Sequence, residues 1–403
     1  MPLRISPWLP LLLAGISMIE PFAIDTYLPA FHAMEVALDA SPVQLQQTLS
    51  SYLLAFGLML LFHGALSDSF GRRPVVLVAL AIFTVASVGC AFASSIHALM
   101  LLRILQGCTG GAGVVVGRAI IRDLHEGPAA QKMMSQVTMW FSIAPAIAPI
   151  IGGFLLHHLG WHSVFGFMAL AGLILLVLCH RLLPETLPPQ QRYPFQVRPL
   201  MTAYAHVLGN PHFLWLSLAV AANFSGFFLY IASAPAFVGG LLRQPETRYA
   251  WLFVPGIAGI GFGAFLSGRV ANRWSRARTL QFGFAFSCAA AAGNLIGNAL
   301  HAPELPWAIL PIMLYTTGVA LAMPCLTLTL LDEFPNNRGL VSSLQNSLAT
   351  LLNAVIAGVV SPLLSHSGLG LASGMAVLAL LGLGSYLLYR QGVRRHGTAS
   401  VSC

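Results

Sequence analysis

The stretch GALSDSFGRRP, residues 64–74, closes one long apolar run, and a related stretch, GRVANRWSR, closes another at residues 268–276. The alignment pairs Gly64, Asp68 and Arg72 with Gly268, Asn272 and Arg276, half a chain apart. Many transporters use such an internal duplication to place one site between two bundles of helices. A chance match between two basic loops is the alternative. We therefore predict two related halves.

The rest of the chain consists of apolar runs separated by short polar segments. Each run is close to the ~20 residues that a helix needs to cross about 30 Å of hydrocarbon. A closed β-barrel would instead show alternating segments of about 10 residues, and none appear. We predict an all-α integral membrane protein with spans at residues 8–32, 45–67, 74–94, 97–121, 132–157, 162–183, 211–238, 249–270, 278–299, 306–331, 340–365 and 369–390.

Composition supports lipid as the solvent of this protein. The 403 residues are 57% hydrophobic and only 8% charged. A soluble domain carries about 25% charged residues, because charge must cover its water-facing surface. A chain this poor in charge cannot cover such a surface.

Lysine and arginine fall in alternate loops, which predicts the orientation. Only Arg243 and Arg248 lie in the opposite loops. Because cytoplasmic loops retain positive charge, we predict a multi-pass protein of the bacterial inner membrane with both termini in the cytoplasm. The net charge of +8 follows from this topology. No basic surface extends beyond a single loop, so we expect no nucleic-acid partner. The charges that set the orientation are Arg4, Arg72, Arg73, Arg118, Arg122, Lys132, Arg181, Arg192, Arg198, Arg269, Arg273, Arg276, Arg278, Arg338, Arg390, Arg394 and Arg395.

One long link, rich in proline and glutamine, divides the chain near its middle, between Leu182 and Gly209. We predict four parts: an N-terminal six-helix bundle at residues 1–183, a cytoplasmic linker at 184–210, a C-terminal six-helix bundle at 211–390 and a cytoplasmic tail at 391–403.

Several motifs carry a resemblance to a known family. The pattern Gly-x-x-x-Asp-x-x-x-Arg-Arg at residues 64–73 resembles the signature between helices two and three of the major facilitator superfamily. Other stretches resemble its helix-four motif (RILQG, 103–107), its antiporter signature in helix five (APAIAPIIGG, 144–153) and the first helix of its bicyclomycin and chloramphenicol resistance branch (IDTYLPA, 24–30). The stretches PETL (184–187) and LDEFP (331–335) fit the same branch. Ala65 departs from the proline common there, and Glu20 has no family counterpart that we can place.

The resemblance covers the whole chain. It implies the major facilitator fold, with twelve transmembrane helices in two pseudo-symmetric six-helix bundles. It also implies a proton-coupled multidrug efflux antiporter that works by alternating access on small, amphipathic, drug-like molecules.

Asp25 and Arg103 are the central candidates for proton coupling. Each lies a few residues from the same end of its predicted span, so their depths match. An ionisable group in the bilayer is costly unless it pairs or faces water, and such groups are functional by default. We expect Asp25 to carry the proton. A static ion pair that fixes helix packing is the alternative.

Glu20 lies deeper in the same span. It precedes Asp25 by five residues, which puts the two carboxylates about 140° apart on a helix of 3.6 residues per turn. Glu20 could be a second proton site, a contact for cationic substrates, or a lone acid kept protonated by burial.

A charge cluster at the cytoplasmic side is expected from Gly64, Asp68, Arg72, Arg73 and Asp123. The resemblance implies that this cluster latches the outward-facing state. Ordinary positive-inside charge is the plainer reading.

Span five contains Pro145, Pro149, Gly152 and Gly153, which predict a kink and close helix approach. Their antiporter role rests on the resemblance.

Polar and aromatic residues at mid-membrane depth are candidates for the substrate cavity, since apolar walls with a few polar anchors suit polyspecific ligands. Taken singly, each is more often an interhelical hydrogen bond or a packing residue. The candidates are Tyr27, Tyr52, Gln106, Trp140, Asn223, Phe227, Tyr230, Tyr315, Gln345, Asn346 and Asn353.

Other classes of protein fit less well. An uptake symporter or an exporter of one metabolite, such as an amino acid, shares the expected fold. A membrane-embedded enzyme would need a nucleophile–base or metal cluster in the spans, and we find none. The histidines 157, 158 and 162 beside Trp161 suit interfacial chemistry rather than a metal site. We expect a monomer in the lipid bilayer that uses the proton gradient and no cofactor, metal or ATP.

Overall fold

The computed structural model describes residues 8–271, 273–335 and 337–399. Asn272, which the repeat aligns with Asp68, lies outside them. Within these ranges twelve helices are long and apolar enough to cross a membrane, which confirms the number predicted from the apolar runs. We number them together with one helix of the central link: α1 Leu9–Ala37, α2 Pro42–Phe70, α3 Arg72–Ala91, α4 Ile96–Leu124, α5 Gly127–Leu159, α6 His162–Leu182, α7 Val197–Leu208, α8 Pro211–Ala232, α9 Glu246–Val270, α10 Arg276–Leu300, α11 Leu310–Asp332, α12 Arg338–Leu364 and α13 Gly368–Val393.

The chain divides into two compact units. The first unit consists of Met1–Gln196 and Gln244–Ala250, and the second unit consists of Val197–Arg243 and Trp251–Cys403. The short segment Gln244–Ala250 thus belongs to the first unit although its neighbours in sequence belong to the second.

The central link is more ordered than a simple linker. It contains α7, whose buried positions are Tyr204 and Val207, and this helix belongs to the second unit. Burial raises the pKa of Tyr204 to about 12, so its phenol stays neutral at physiological pH.

Helix α1 is interrupted directly after Asp25. Its regular α-helical part ends there, and a short 3₁₀ turn at Leu28–Ala30 precedes the last two turns, Phe31–Ala37. Pro29 lies inside the turn, where it has no backbone N–H to donate and disfavours α-helical geometry at the residue before it. The interruption places the Asp25 carboxyl group at a helix end.

Candidate functional site

The guanidinium of Arg103 is the centre of a buried polar cluster in the first unit. The side chain is completely buried. Its Nη1 donates to Oε1 of Gln106 over 2.8 Å, and its Nη2 donates to the backbone carbonyl oxygen of Ala23 over 2.9 Å. Gln106 in turn donates through Nε2 to Oγ of Ser87 over 2.7 Å. These contacts join α4 to α1 and α3.

Two aromatic rings enclose the same guanidinium. The Cζ atom of Arg103 lies 4.3 Å from the ring centroid of Tyr27 and 4.3 Å from that of Tyr52. Each ring presents its negative face to the cation, an attraction that strengthens where water is excluded. The Tyr27 hydroxyl lies 3.4 Å from Oγ1 of Thr48, whereas the Tyr52 hydroxyl has no hydrogen-bond partner among the residues described. The arginine is therefore fixed by groups other than a carboxylate.

Asp25 is buried near this cluster but makes no ion pair with Arg103. Its side chain is only 3% exposed, and its Oδ1 has no hydrogen-bond partner in the part of the chain that the structure describes. The central pair predicted from matched depths is therefore not a direct contact. Two nitrogens of the arginine donate to Gln106 and to Ala23, two residues before the aspartate, whereas its buried Nε has no hydrogen-bond partner among the described residues. A buried carboxyl oxygen without a partner is unusual, because such groups normally find one.

Glu20 is half-buried and lies close enough to Asp25 for their charges to interact. The cation that acts on Glu20 is Arg118 of α4. From the sequence we counted Arg118 only as a loop charge, and no local signal pairs it with Glu20 because the two residues are 98 positions apart (118 minus 20).

The predicted charge cluster forms where α2 ends and α3 begins. Arg72 pairs with Asp68 one turn earlier, and its Nε donates to Oδ2 of Asp123 over 3.0 Å. Its Nη1 also donates to Oγ of Ser67 over 2.7 Å. Arg73 points elsewhere and donates to the backbone carbonyl of His180 over 2.6 Å.

The stretch PETL adds residues to this cluster that the sequence indicated only as a branch motif. Oε1 of Glu185 accepts from the backbone N–H of Arg72 over 3.0 Å, so a carboxylate covers the positive N-terminal end of α3. Thr186 donates to Oδ2 of Asp123 over 2.7 Å. Gly71 has a φ of 98°, a conformation that favours glycine, and a side chain there would collide with the Glu185 carboxylate. Gly64 lies about two turns before Gly71, near Val115.

The second unit has a counterpart at the equivalent place in the repeat. Arg276, at the start of α10, donates to Asp332, at the end of α11, over 2.6 Å. Arg338 approaches the other carboxylate oxygen of Asp332 at 3.4 Å. Next to it, Glu333 accepts from the Tyr389 hydroxyl over 2.7 Å. The two units thus repeat one arrangement, in which an arginine at the start of one span pairs with an aspartate at or near the end of another. The pairs are Arg72 with Asp123 and Arg276 with Asp332.

The proline and glycine residues of α5 bring this helix against the break in α1. Pro145 and Pro149 lie inside the helix. At Gly152 a Cβ atom would collide with the backbone carbonyl of Thr26, the residue after Asp25. At Gly153 it would lie 2.6 Å from the carbonyl oxygen of Glu246, in the short segment that belongs to the first unit. Close approach to backbone explains glycine at both positions.

The predicted cavity residues of the first unit are mostly packing residues. Tyr27, Tyr52 and Gln106 are completely buried around Arg103, so they hold the arginine in place. Trp140 of α5 is 42% exposed. Among these four, Trp140 alone offers a large accessible side chain to a ligand.

In the second unit the predicted cavity residues form hydrogen bonds between helices. The Tyr315 hydroxyl donates to the backbone carbonyl of Asn223 over 2.9 Å. Tyr230 accepts from Nδ2 of Asn294 over 2.7 Å. Asn353 accepts from Ser225 over 2.8 Å, while Phe227 and Gln345 are buried and Asn346 is half-buried. The plainer reading of these residues, interhelical contacts, describes most of them.

Twelve spans, in two units that each contain an arginine–aspartate pair, define a multi-pass integral membrane protein. Residues 13–358 match the family model of the Major Facilitator Superfamily, and the chain therefore belongs to that superfamily. The resemblance found in the motifs is confirmed.

Named relatives and solved structures extend over almost the whole chain. The bicyclomycin resistance protein homolog of Haemophilus influenzae is 26% identical over 388 residues, 96% of this chain and 97% of the relative. Multidrug resistance protein D of Escherichia coli is 29% identical over 389 residues, 93% and 92% of the two chains. The xylose transporter XylE of Escherichia coli has a similar fold, with a TM-score of 0.71 at 15% identity over 95% of this chain and 98% of that one.

Proposed function

We propose that this protein is a proton-coupled antiporter that exports small, amphipathic, drug-like molecules from the bacterial cytoplasm by alternating access. The observation that carries the proposal is Asp25, a buried carboxyl group at a helix end, one oxygen of which has no hydrogen-bond partner within residues 8–271, 273–335 and 337–399. Because Arg103 donates to Gln106 and Ala23 and not to Asp25, the aspartate can gain and lose a proton without breaking an ion pair.

The surroundings of Asp25 suggest how a proton can be linked to a change of shape. The carboxyl group lies where regular helical bonding of α1 stops, and Gly152 of α5 packs on the next residue. A charged carboxylate in this position is costly, whereas a protonated one is not. Protonation therefore favours states that bury Asp25, and release of the proton favours states in which water reaches it.

The membrane potential supplies enough energy for useful export. One proton moving down the potential releases about 2.3 kcal/mol per 100 mV. With one proton exchanged for one neutral substrate, this sustains a concentration ratio of roughly fiftyfold.

The Arg72 cluster serves as the latch in this proposal. Asp68, Asp123 and Glu185 all contact Arg72 within the first unit. The positive-inside rule puts this cluster on the cytoplasmic side, with both termini in the cytoplasm. We propose that the contacts hold the outward-facing state and loosen when the carrier opens inward.

The relatives named for bicyclomycin and multidrug resistance support drug-like molecules as the substrate class. They support export over uptake for the same reason.

The test uses everted inner-membrane vesicles that are energised to acidify their lumen and report the pH gradient with a quenched fluorescent dye. Addition of chloramphenicol, ethidium or other drugs from a panel should release protons and restore fluorescence. Asp25→Asn should abolish this response. Asp39→Asn, which changes an exposed aspartate in a turn, is the matched control and should respond as the unaltered protein does.

Two outcomes contradict the proposal. No fluorescence change across the panel, with the protein present in the membrane, argues against antiport. A full response from Asp25→Asn moves the proton site to Glu20 or elsewhere. Cells that accumulate more of a drug when the protein is expressed would reverse the direction and favour an uptake symporter.

A further inference from the structure

Two opposite charges of the first unit lie within apolar spans and are accessible, yet neither has a direct partner. Glu20 of α1 is half-buried, and Arg118 of α4 is exposed. Neither side chain makes a hydrogen bond or ion pair with any residue that the structure describes. Each nevertheless lies within electrostatic reach of the other. The two opposite charges therefore interact at a distance, without a hydrogen bond or ion pair between them.

Helix packing explains this arrangement. Helices α1 and α4 run in opposite directions and touch where Gly113 packs on the backbone of Ile16 and Gly117 lies beside Leu13. From this crossing Glu20 is four residues further along α1 and Arg118 five residues further along α4. At 1.5 Å per residue, their Cα atoms are separated by about 13 Å along the helix axes.

The direction of the side chains narrows the separation from both ends. Side chains on a helix lean towards its N-terminus. Glu20 therefore leans along α1 towards the level of Arg118, and Arg118 leans along α4 towards the level of Glu20. The charged groups thus approach each other along the helix axes, and across the interval between them neither makes a hydrogen bond or ion pair with a described residue.

Charge within a span is costly unless it is compensated, so the interval calls for a ligand with charge of its own. A cation would compensate Glu20 and leave Arg118 next to another arginine, Arg122, whose charge also acts on it. An anion would compensate Arg118 and leave Glu20 next to Asp25. A molecule with both charges compensates the two residues at once.

We propose that Glu20 and Arg118 form a two-point site for small amphipathic zwitterions, in which Glu20 accepts from the ammonium group of the substrate and Arg118 donates to its carboxylate. This deepens the proposed function by naming a substrate class. It rests on the proposed function in one respect, namely that the molecule bound at this site is a transported substrate.

The test measures equilibrium binding to the purified full chain in lipid nanodiscs at pH 7, without any proton gradient. The probes are three tritiated compounds that share one phenyl group and differ in charge: L-phenylalanine, 2-phenylethylamine, which lacks the carboxylate, and 3-phenylpropanoate, which lacks the ammonium. A charged hydrogen bond is worth about tenfold or more in affinity. L-Phenylalanine should therefore bind about tenfold or more tightly than either of the other two.

Variants assign each charge to its partner. Arg118→Gln should reduce the affinity for L-phenylalanine to that for 2-phenylethylamine, and Glu20→Gln should reduce it to that for 3-phenylpropanoate. The charge exchange Glu20→Arg with Arg118→Glu should restore the preference for the zwitterion. Lys132→Gln, which removes another exposed cation of the first unit, is the matched control and should leave all three affinities unchanged.

The proposal is overturned if the unaltered protein binds the three compounds equally, or if both neutral variants keep the preference. If a neutral variant fails to fold, as judged by size-exclusion chromatography, Glu20→Asp and Arg118→Lys are measured in its place. Both keep the charge, so both must still prefer the zwitterion. Because binding is measured without a proton gradient, a failure of this binding test leaves the proton-release response to drugs intact. Conversely, a protein that releases no protons can still show the preference.

Discussion

Nη2 of Arg103 donates to the backbone carbonyl oxygen of Ala23 over 2.9 Å, which ties α4, about two turns from its start, to the last turn of the regular helix in α1. The same arginine donates to Gln106 and lies between two tyrosine rings. This arginine therefore holds the helix end at which Asp25 lies, and it does so without occupying the aspartate.

The first prediction concerns Arg103→Lys. A lysine ammonium has no planar face to lie between two rings and no fork to reach Gln106 and Ala23 together. We expect a loss of about 2–3 kcal/mol in the free energy of unfolding, because buried acceptors lose their donors. Denaturant unfolding in detergent measures the loss. Arg181→Lys, at an exposed arginine of α6, is the control and should change little.

The second prediction separates the ring of Tyr52 from its hydroxyl group. No described residue makes a hydrogen bond with the hydroxyl, so Tyr52→Phe should change the free energy of unfolding by less than about 0.5 kcal/mol. Tyr52→Leu removes the aromatic face over Arg103 and should cost about 1–2 kcal/mol. Equal losses in the two variants would show that the hydroxyl group, and not the ring, supports the arginine.

The third prediction compares the two arginine–aspartate pairs of the repeat. The side chains of Arg72 and Asp123 are 9% and 22% exposed, whereas those of Arg276 and Asp332 are 56% and 44% exposed. Exposed pairs contribute about 0–1 kcal/mol, and breaking a buried pair leaves a charge uncompensated. Asp123→Asn should therefore destabilise the protein by about 1–3 kcal/mol.

Asp332→Asn should cost less than about 1 kcal/mol, and added salt should abolish even that difference. The two unfolding curves, recorded at low and high salt, check both statements. A larger loss at Asp332 would contradict the ranking by burial.

The fourth prediction concerns the close approach of α5 to α1. Gly152→Ala puts a methyl group into the backbone carbonyl of Thr26, which cannot move aside as a flexible side chain can. We expect a loss of about 1–3 kcal/mol, typical of overpacking, together with impaired drug export. Gly166→Ala is the control, because no atom lies within 4 Å of the added Cβ and alanine favours a helix. If Gly152→Ala exports drugs at the unaltered rate, the close approach of α5 to α1 is not needed for transport.

The number of spans and the family were predictable because both depend on local sequence. An apolar run of sufficient length must be a helix in lipid, since no other open structure satisfies its backbone there. The motif at residues 64–74 and its partner at 268–276 repeat within a few residues each, so they can be compared without a structure.

Side-chain partners were harder to predict. Matched depth suggested that Asp25 and Arg103 touch, but depth fixes only one coordinate of a helix, and its rotation decides which neighbours a side chain meets. The rotation of α4 directs Arg103 to Gln106 and Ala23. For the same reason Tyr230 and Tyr315, expected at a cavity, bond to Asn294 and Asn223 instead.

By itself, the sequence determined that this protein is a twelve-span carrier with a duplicated chain and acidic groups inside its first span. Hydrophobicity, charge order and repeat spacing act along the chain and need no partner from elsewhere. Tertiary structure alone decided that Glu185 caps the start of α3, that Oδ1 of Asp25 has no hydrogen-bond partner among the described residues and that Arg118 lies within electrostatic reach of Glu20. These relations join residues far apart in sequence, and only the packing of helices against one another brings them together.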